Sequence, residues 1–179
     1  MEQMLKDNIN ASIETLHLPA YQEIPDVGLY LEQTAKYISD ALAPTQDMPI
    51  TGSMISNYVK KGLISKPVRK QYNREQIAQL IFIAAAKSVV SMDGLSLMFS
   101  IQRKTYSVQV AYYYFRDELY QMLTYVFSRK GEMDALDMQA SEEKVMLRNT
   151  IITVAHKIYL DKLFAVLRAQ NEAEPNHKK

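Results

Sequence analysis

Thr51, Gly62 and Asn73 punctuate one stretch of the chain and narrow what it can fold into. Thr51 is suited to cap a short helix running to about Lys61, because its side-chain oxygen can accept from an otherwise unpaired first-turn amide. Within that helix Ile55, Tyr58 and Val59 fall on one face, and Ser53, Ser56, Asn57 and Lys60 fall on another. Gly62 stands where a left-handed residue closes a helix, with Lys60 and Lys61 at the negative end of the dipole. Leu63 and Ile64 then turn inward, and SKPVRKQY makes a short extended excursion. Asn73 and Gln76 have the spacing of a capping box for a largely buried helix from Arg74 to about Val89.

The same stretch concentrates positive charge. Lys60, Lys61, Lys66, Arg69, Lys70 and Arg74 fall between Thr51 and Arg74 with no Asp or Glu among them, in a chain whose formal net charge is only +1. A basic island on a near-neutral chain implies a directed electrostatic footprint. A short helix with small polar residues outward can enter a major groove, where Ser and Asn hydrogen-bond base edges and flanking cations take phosphates. On charge alone, a solvated cationic loop between two core helices explains the stretch equally well.

Elsewhere the apolar spacing is helical. Residues 1–27 read as an N-terminal arm: a short helix around Ile9–Leu16, then LPAYQEIPDVG, whose prolines and glycine make a connector. Tyr21 and Ile24 are expected to pack this arm onto the body. Leu29–Leu42 reads as a helix capped by Asp26, with Leu31, Thr34, Ala35, Ile38, Ala41 and Leu42 recurring at three- and four-residue spacing. APTQDMP breaks it. Ser91 is placed to cap a further helix, MDGLSLMFSI. Two long helices follow, Val108–Lys130, stopped by Gly131, and one from its cap Ser141 to about Ala169. The second is apolar around most of its circumference and so is expected to be buried on more than one side, one of them against a second subunit. The reading is an all-α fold with an arm at 1–27, a DNA-binding unit at 28–105, a C-terminal helical dimerisation or effector region at 106–170 and a disordered tail at 171–179.

Other chemistry finds little footing. The chain has 179 residues and 47% hydrophobic content, enough for a core without disulfides or metals. It has no Cys, which removes thiolate metal sites and Cys nucleophiles. His17, His156 and His177 lack metal-ligand spacing, and His156, among apolar residues, reads as a core or interface histidine. Asp117-Glu118 and Glu142-Glu143 are adjacent pairs that point to different helix faces, and the five glycines are isolated, so no phosphate-cradling motif is present. No catalytic residue, cofactor or metal is expected. The longest nearly apolar run, Ile77–Ala86, is far short of the roughly 20 residues that span a bilayer. The polar start lacks the basic and apolar regions of a signal peptide, so a soluble cytoplasmic protein without a membrane partner is expected. Tyr112, Tyr113, Tyr114, Phe115, Tyr120 and Tyr125 make an aromatic stretch on one helix. It reads as core and subunit packing; alternatively Tyr112, Tyr113, Phe115 and Tyr120 with Tyr159 wall a small-molecule effector pocket between the long helices.

The segment ISNYVKKGLISKPVRKQYNREQIAQLIFI resembles the helix-turn-helix of MerR-type regulators. The matching residues are Ile55, Tyr58, Gly62, Leu63, Ile64, Pro67, Tyr72, Asn73 and Ile77, and SMDGLSLMF is similar to a later helix of that pattern. Ser56 stands where that pattern usually has an Arg, and the short wing lacks its usual glycine. LPAYQEIP, LYLEQ and MISNYVKKGLI are closer still to a YkrK-type family of bacterial proteins, over roughly Leu18–Phe99. The resemblance implies a DNA-binding transcriptional regulator. Thr51, Ser53, Ser56 and Asn57 would face the groove; Lys60, Lys61, Lys66, Arg69, Lys70 and Arg74 would hold phosphates; Tyr58 and Tyr72 would support the unit from inside. The expected partners are double-stranded DNA, a second copy of the chain and a small-molecule effector. The competing reading is a protein-interaction module whose basic island binds an acidic partner.

Overall fold

The computed structural model describes residues 7, 9–45, 49–128 and 140–173. Over these residues the fold is mainly helical, as expected. The expected helix stop at Arg129, Lys130 and Gly131, residues 131–139 of the following loop, and the tail from 174 lie outside the described residues.

Helix α1 is Leu31–Leu42, with Thr34, Ala35, Ile38 and Leu42 buried. Its expected start at Leu29 and its cap by Asp26 are both corrected. Leu29–Tyr30 is a short strand, β1, paired antiparallel with β2, Gln71–Tyr72, so that Leu29 opposes Tyr72 and Tyr30 opposes Gln71. Tyr30 takes the N-cap position, and its N–H donates to Gln33 Oε1 at 2.9 Å. Asp26 instead lies 3.9 Å from Arg74. A strand partner thus holds the residues before the helix extended, and the helix's own third residue serves its cap.

Gly52–Lys60 forms α2. Thr51 Oγ1 accepts from the Met54 amide at 3.3 Å, a cap worth about 1 kcal/mol. Ile55 and Tyr58 are buried, and α2 packs on α1. A Cβ on Gly52 would meet the mobile end of Glu32 and come 3.2 Å from Leu31 Cγ, so α2 begins close against the start of α1. At the other end Gly62 is left-handed, with φ 75°. Its N–H donates to Val59 O and that of Leu63 to Tyr58 O, both at 3.0 Å. These are the paired bonds of a Schellman motif, which needs a residue free of the Cβ penalty at this point.

Arg74–Ala86 is α3, opened by the expected capping box: the Gln76 amide donates to Asn73 Oδ1 and the Asn73 amide to Gln76 Oε1, each at 2.9 Å. Met92–Thr105 is α4, capped by Ser91, whose Oγ accepts from Gly94 at 3.1 Å. Val108–Ser128 is α5 and Glu142–Ala173 is α6. The last two run parallel. Lys144 lies over the Tyr114 ring, Arg148 pairs with Glu118, and Tyr159 meets the Phe127 ring edge-on. The buried apolar side chains form one cluster from Ile9 to Ile158, so the N-terminal and C-terminal helices share a core. Beyond Tyr159 the expected all-round burial of α6 fails in the single chain: Leu160, Phe164 and Leu167 are exposed.

The arm lies along α5 and is fastened through backbone carbonyls. Tyr112 Oη donates to Pro19 O at 2.9 Å, Arg116 Nε donates to Leu18 O at 3.0 Å, and Tyr120 Oη accepts from the Leu18 amide at 2.6 Å. Tyr113 Oη donates to Gln22 Oε1. A connector rich in proline has few partners within its own segment, and here the tyrosine hydroxyls supply them. Among the described residues no helix is long and apolar enough to cross a membrane.

Candidate nucleic-acid interface

The α2 helix turns its two chemistries in opposite directions. Ile55 and Tyr58 face the core, while Thr51, Ser53, Ser56, Asn57, Lys60 and Lys61 are exposed. Burial raises the Tyr58 and Tyr72 hydroxyls above the ordinary tyrosine value, so both remain neutral supports inside the unit. Their expected internal placement is observed.

After Gly62 the chain forms a tighter structure than the extended excursion expected. Val68 and Gln71 bond to each other through both backbone groups, and Arg69 and Lys70 between them have φ of 51° and 65°. Two left-handed residues inside a mutually bonded pair define a two-residue hairpin of the type I′ class. That turn favours Asn-Gly; here two cations occupy it. β2 continues from the hairpin and pairs with β1, which ties the hairpin to the start of α1.

Two side chains whose contact with the hairpin link sequence reasoning did not foresee set its position. Gln76 Nε2 donates to Ser65 O at 2.8 Å and contacts Ser65 Oγ at 3.1 Å. Arg103 Nη2 donates to Leu63 O at 3.0 Å. Thus α3 and α4 grip the two ends of Leu63–Ser65 within the link between α2 and the hairpin. Gln76 was visible as a capping residue, and Arg103 lies beyond the expected MDGLSLMFSI helix.

Lys60, Lys61, Lys66, Arg69 and Lys70 are exposed, and none forms an ion pair with a described residue. Arg74 departs from this set. Its Nε donates to Ile24 O at 2.8 Å, its Nη2 reaches Gln22 O at 3.4 Å, Asp26 lies 3.9 Å from its Nη1, and its guanidinium sits 5.7 Å from the Tyr21 ring centre. Arg74 thus holds the arm and stands apart from the five exposed cations.

The expected effector pocket is partly redrawn. A cavity of about 260 Å³ lies between α3, α4, α5 and α6. Tyr112 and Phe115 line it, joined by Tyr106 and Tyr114; Tyr113, Tyr120 and Tyr159 do not. Tyr113 and Tyr120 hold the arm, and Tyr159 packs on Phe127. At the cavity mouth, hydrogen bonds from the Glu143 amide and from Ser141 hold the Glu143 carboxyl below its ordinary value. His156 is exposed on α6, so the core half of its expected placement is corrected; the helix turns it away from α5. No cluster of three or more His, Asp or Glu suited to a metal ion occurs among the described residues.

The fold and this face together define a mainly helical protein that presents a capped polar helix and a cationic hairpin. The chain belongs to the family described as Domain of unknown function (DUF1836), whose model matches residues 19–122. The match begins at Pro19, whose carbonyl Tyr112 holds, and ends within α5, so it takes in the arm from Pro19 onward and leaves out Leu18 and α6. Comparison with curated proteins and with solved structures returned no match.

Proposed function

We propose that this protein is a sequence-specific DNA-binding transcriptional regulator with a MerR-like helix-turn-helix, reading duplex DNA through α2 and steadying it with the hairpin. The observation that carries the reading is the composition of one continuous exposed segment. Ser53, Ser56 and Asn57 offer short hydrogen-bonding side chains on α2, and Lys60, Lys61, Lys66, Arg69 and Lys70 follow without acidic partners among the described residues. Small amides and hydroxyls suit base edges, and unpaired cations suit phosphates. A free cationic hairpin tip would also serve an acidic protein partner, but the polar α2 face favours a nucleic acid.

The exposed apolar stripe of Leu160, Phe164 and Leu167, spaced four and three residues apart, supports a homodimer through the end of α6. A two-fold dimer would place two α2 helices in major-groove faces about 34 Å apart and read a palindromic site. Selection from random duplexes tests the whole reading. A defined two-fold sequence is the expected product, with affinity falling steeply as salt rises. Recovery of no sequence preference overturns it.

A further inference from the structure

Aromatic rings dominate the walls of the cavity between α3, α4, α5 and α6. Phe82 meets Phe99 and Phe115 edge-on, with centroids 5.9 Å and 5.3 Å away. These three rings, one each from α3, α4 and α5, make a fixed wall with edges and faces turned at right angles, the arrangement that receives another aromatic ring. Gln79 faces the same space from α3, and its side-chain amide has no hydrogen-bond partner among the described residues. Gln102 also lines the space, and its Nε2 is committed to Tyr106 O.

We propose that this cavity binds an uncharged two-ring aromatic compound bearing a hydroxyl or ring N–H, and that its occupancy adjusts the link between α2 and the hairpin. Size sets the first limit. An apolar cavity of roughly 150 Å³ admits benzene, so about 260 Å³ suits two fused rings. Polarity sets the second. The free Gln79 amide can pair one donor or acceptor on the ligand, while an ionic ligand would lose its hydration against a mainly apolar wall. The opposite charges of Glu143 and Lys144 at the mouth select neither sign.

The link to α2 is covalently short. Gln76 stands three residues before Gln79 on α3 and holds Ser65; Arg103 follows Gln102 on α4 and holds Leu63. A ligand that shifts α3 against α4 moves the two anchors of residues 63–65 relative to each other. This regulatory half rests on the DNA-binding reading above; binding in the cavity does not.

The test uses the full chain with methionine methyl groups labelled for NMR, since Met98 and Met146 line the cavity. Indole and indene are the probes, alike in shape and differing in the N–H. Indole should shift the Met98 and Met146 methyls saturably, with a Kd of about 1 mM or tighter. Ala111→Phe should fill the cavity and abolish those shifts. Gln79→Leu should weaken indole about five-fold, the loss of one hydrogen bond, and leave indene unchanged. Shifts that do not saturate, or that persist unchanged in Ala111→Phe, overturn the site. Should Ala111→Phe fail to fold, Gln79→Leu decides, and equal effects on indole and indene overturn the site. With the duplex recovered by selection, indole should change the affinity of the wild type and not that of Arg103→Ala, whose methyl shifts remain. Intact methyl shifts without any effect on DNA overturn the coupling alone. Failure to recover a duplex counts against the DNA-binding reading, while the methyl shifts still judge the cavity.

Discussion

Val68 and Gln71 exchange both backbone hydrogen bonds, the Val68 amide to Gln71 O at 3.1 Å and the Gln71 amide to Val68 O at 2.9 Å, across Arg69 and Lys70. Both central residues are left-handed, a conformation that costs a side-chain-bearing residue roughly 1–2 kcal/mol. A turn built for stability would carry Asn-Gly. Replacing Arg69 by Asn and Lys70 by Gly together should therefore stabilise the chain by about 1–2 kcal/mol in urea unfolding. On the reading proposed here it should also weaken DNA binding and reduce the salt slope by about two phosphate contacts. A stabilised variant with undiminished affinity would show that the hairpin does not meet the backbone.

Asn57 is exposed on α2 and its side chain makes no hydrogen bond within the described residues. Asn57→Ala should leave stability within about 0.5 kcal/mol of the wild type. It should change the sequence recovered from random duplexes at one position per half-site, a discrimination of about 1–3 kcal/mol. A uniform loss of affinity across all sequences would make Asn57 a positioning contact instead.

The contrast between these two neighbouring features shows what was legible in the sequence. The caps at Thr51, Asn73 and Ser91 and the stop at Gly62 could be read because each needs only residues within four positions. The hairpin could not be recognised as a tight turn, because Arg69-Lys70 lacks the glycine and asparagine that mark one. β1 and β2 are two residues each and pair across some forty positions, too short for any alternation to register. The parallel course of α5 and α6 is set by side-chain partners thirty residues apart, such as Glu118 and Arg148. The aromatic run on α5 was legible as packing, but three of its hydroxyls reach the arm, and contacts of that kind leave no periodic trace.

Arg74 separates arm anchoring from charge. Its guanidinium is bound to Ile24 O and Gln22 O, and its side chain is 25% exposed. Charged hydrogen bonds of this kind contribute about 1.5–3 kcal/mol. Arg74→Ala should lose about that much stability, and proteolysis should cut first near Glu23–Val27. The salt slope of DNA binding should stay at the wild-type value. A reduced slope with unchanged stability would return Arg74 to the phosphate set.

Tyr112 makes arm attachment sensitive to alkali. Burial holds its hydroxyl far above the ordinary tyrosine value, and that hydroxyl must stay protonated to donate to Pro19 O. Above about pH 10 the unfolded chain releases this proton while the folded chain keeps it. The folded state then binds more protons, so stability falls with rising pH by about 1.4 kcal/mol per unit from this residue. Below pH 10 its contribution is constant. Tyr112→Phe should cost about 1 kcal/mol at neutral pH and show a shallower fall between pH 10 and 12 in denaturant titrations. Parallel curves for the two proteins would deny Tyr112 this role.

Glu118 and Arg148 fix α6 to α5 by an ion pair that is almost dry. Arg148 Nε lies 2.7 Å from Glu118 Oε1, with side chains 9% and 12% exposed. Removing Arg148 strands the Glu118 carboxylate away from water, at a cost of about 3–5 kcal/mol. Removing both in favour of apolar groups of similar volume avoids that cost. Arg148→Met should therefore be severely destabilised, while Glu118→Leu combined with Arg148→Met should recover most or all of the loss. Chemical unfolding of the single and double variants measures the difference. Recovery would mean the pair sets how the two parallel helices register, since the area they bury is enough to hold them together. A double variant as unstable as the single would instead make the pair a net source of stability.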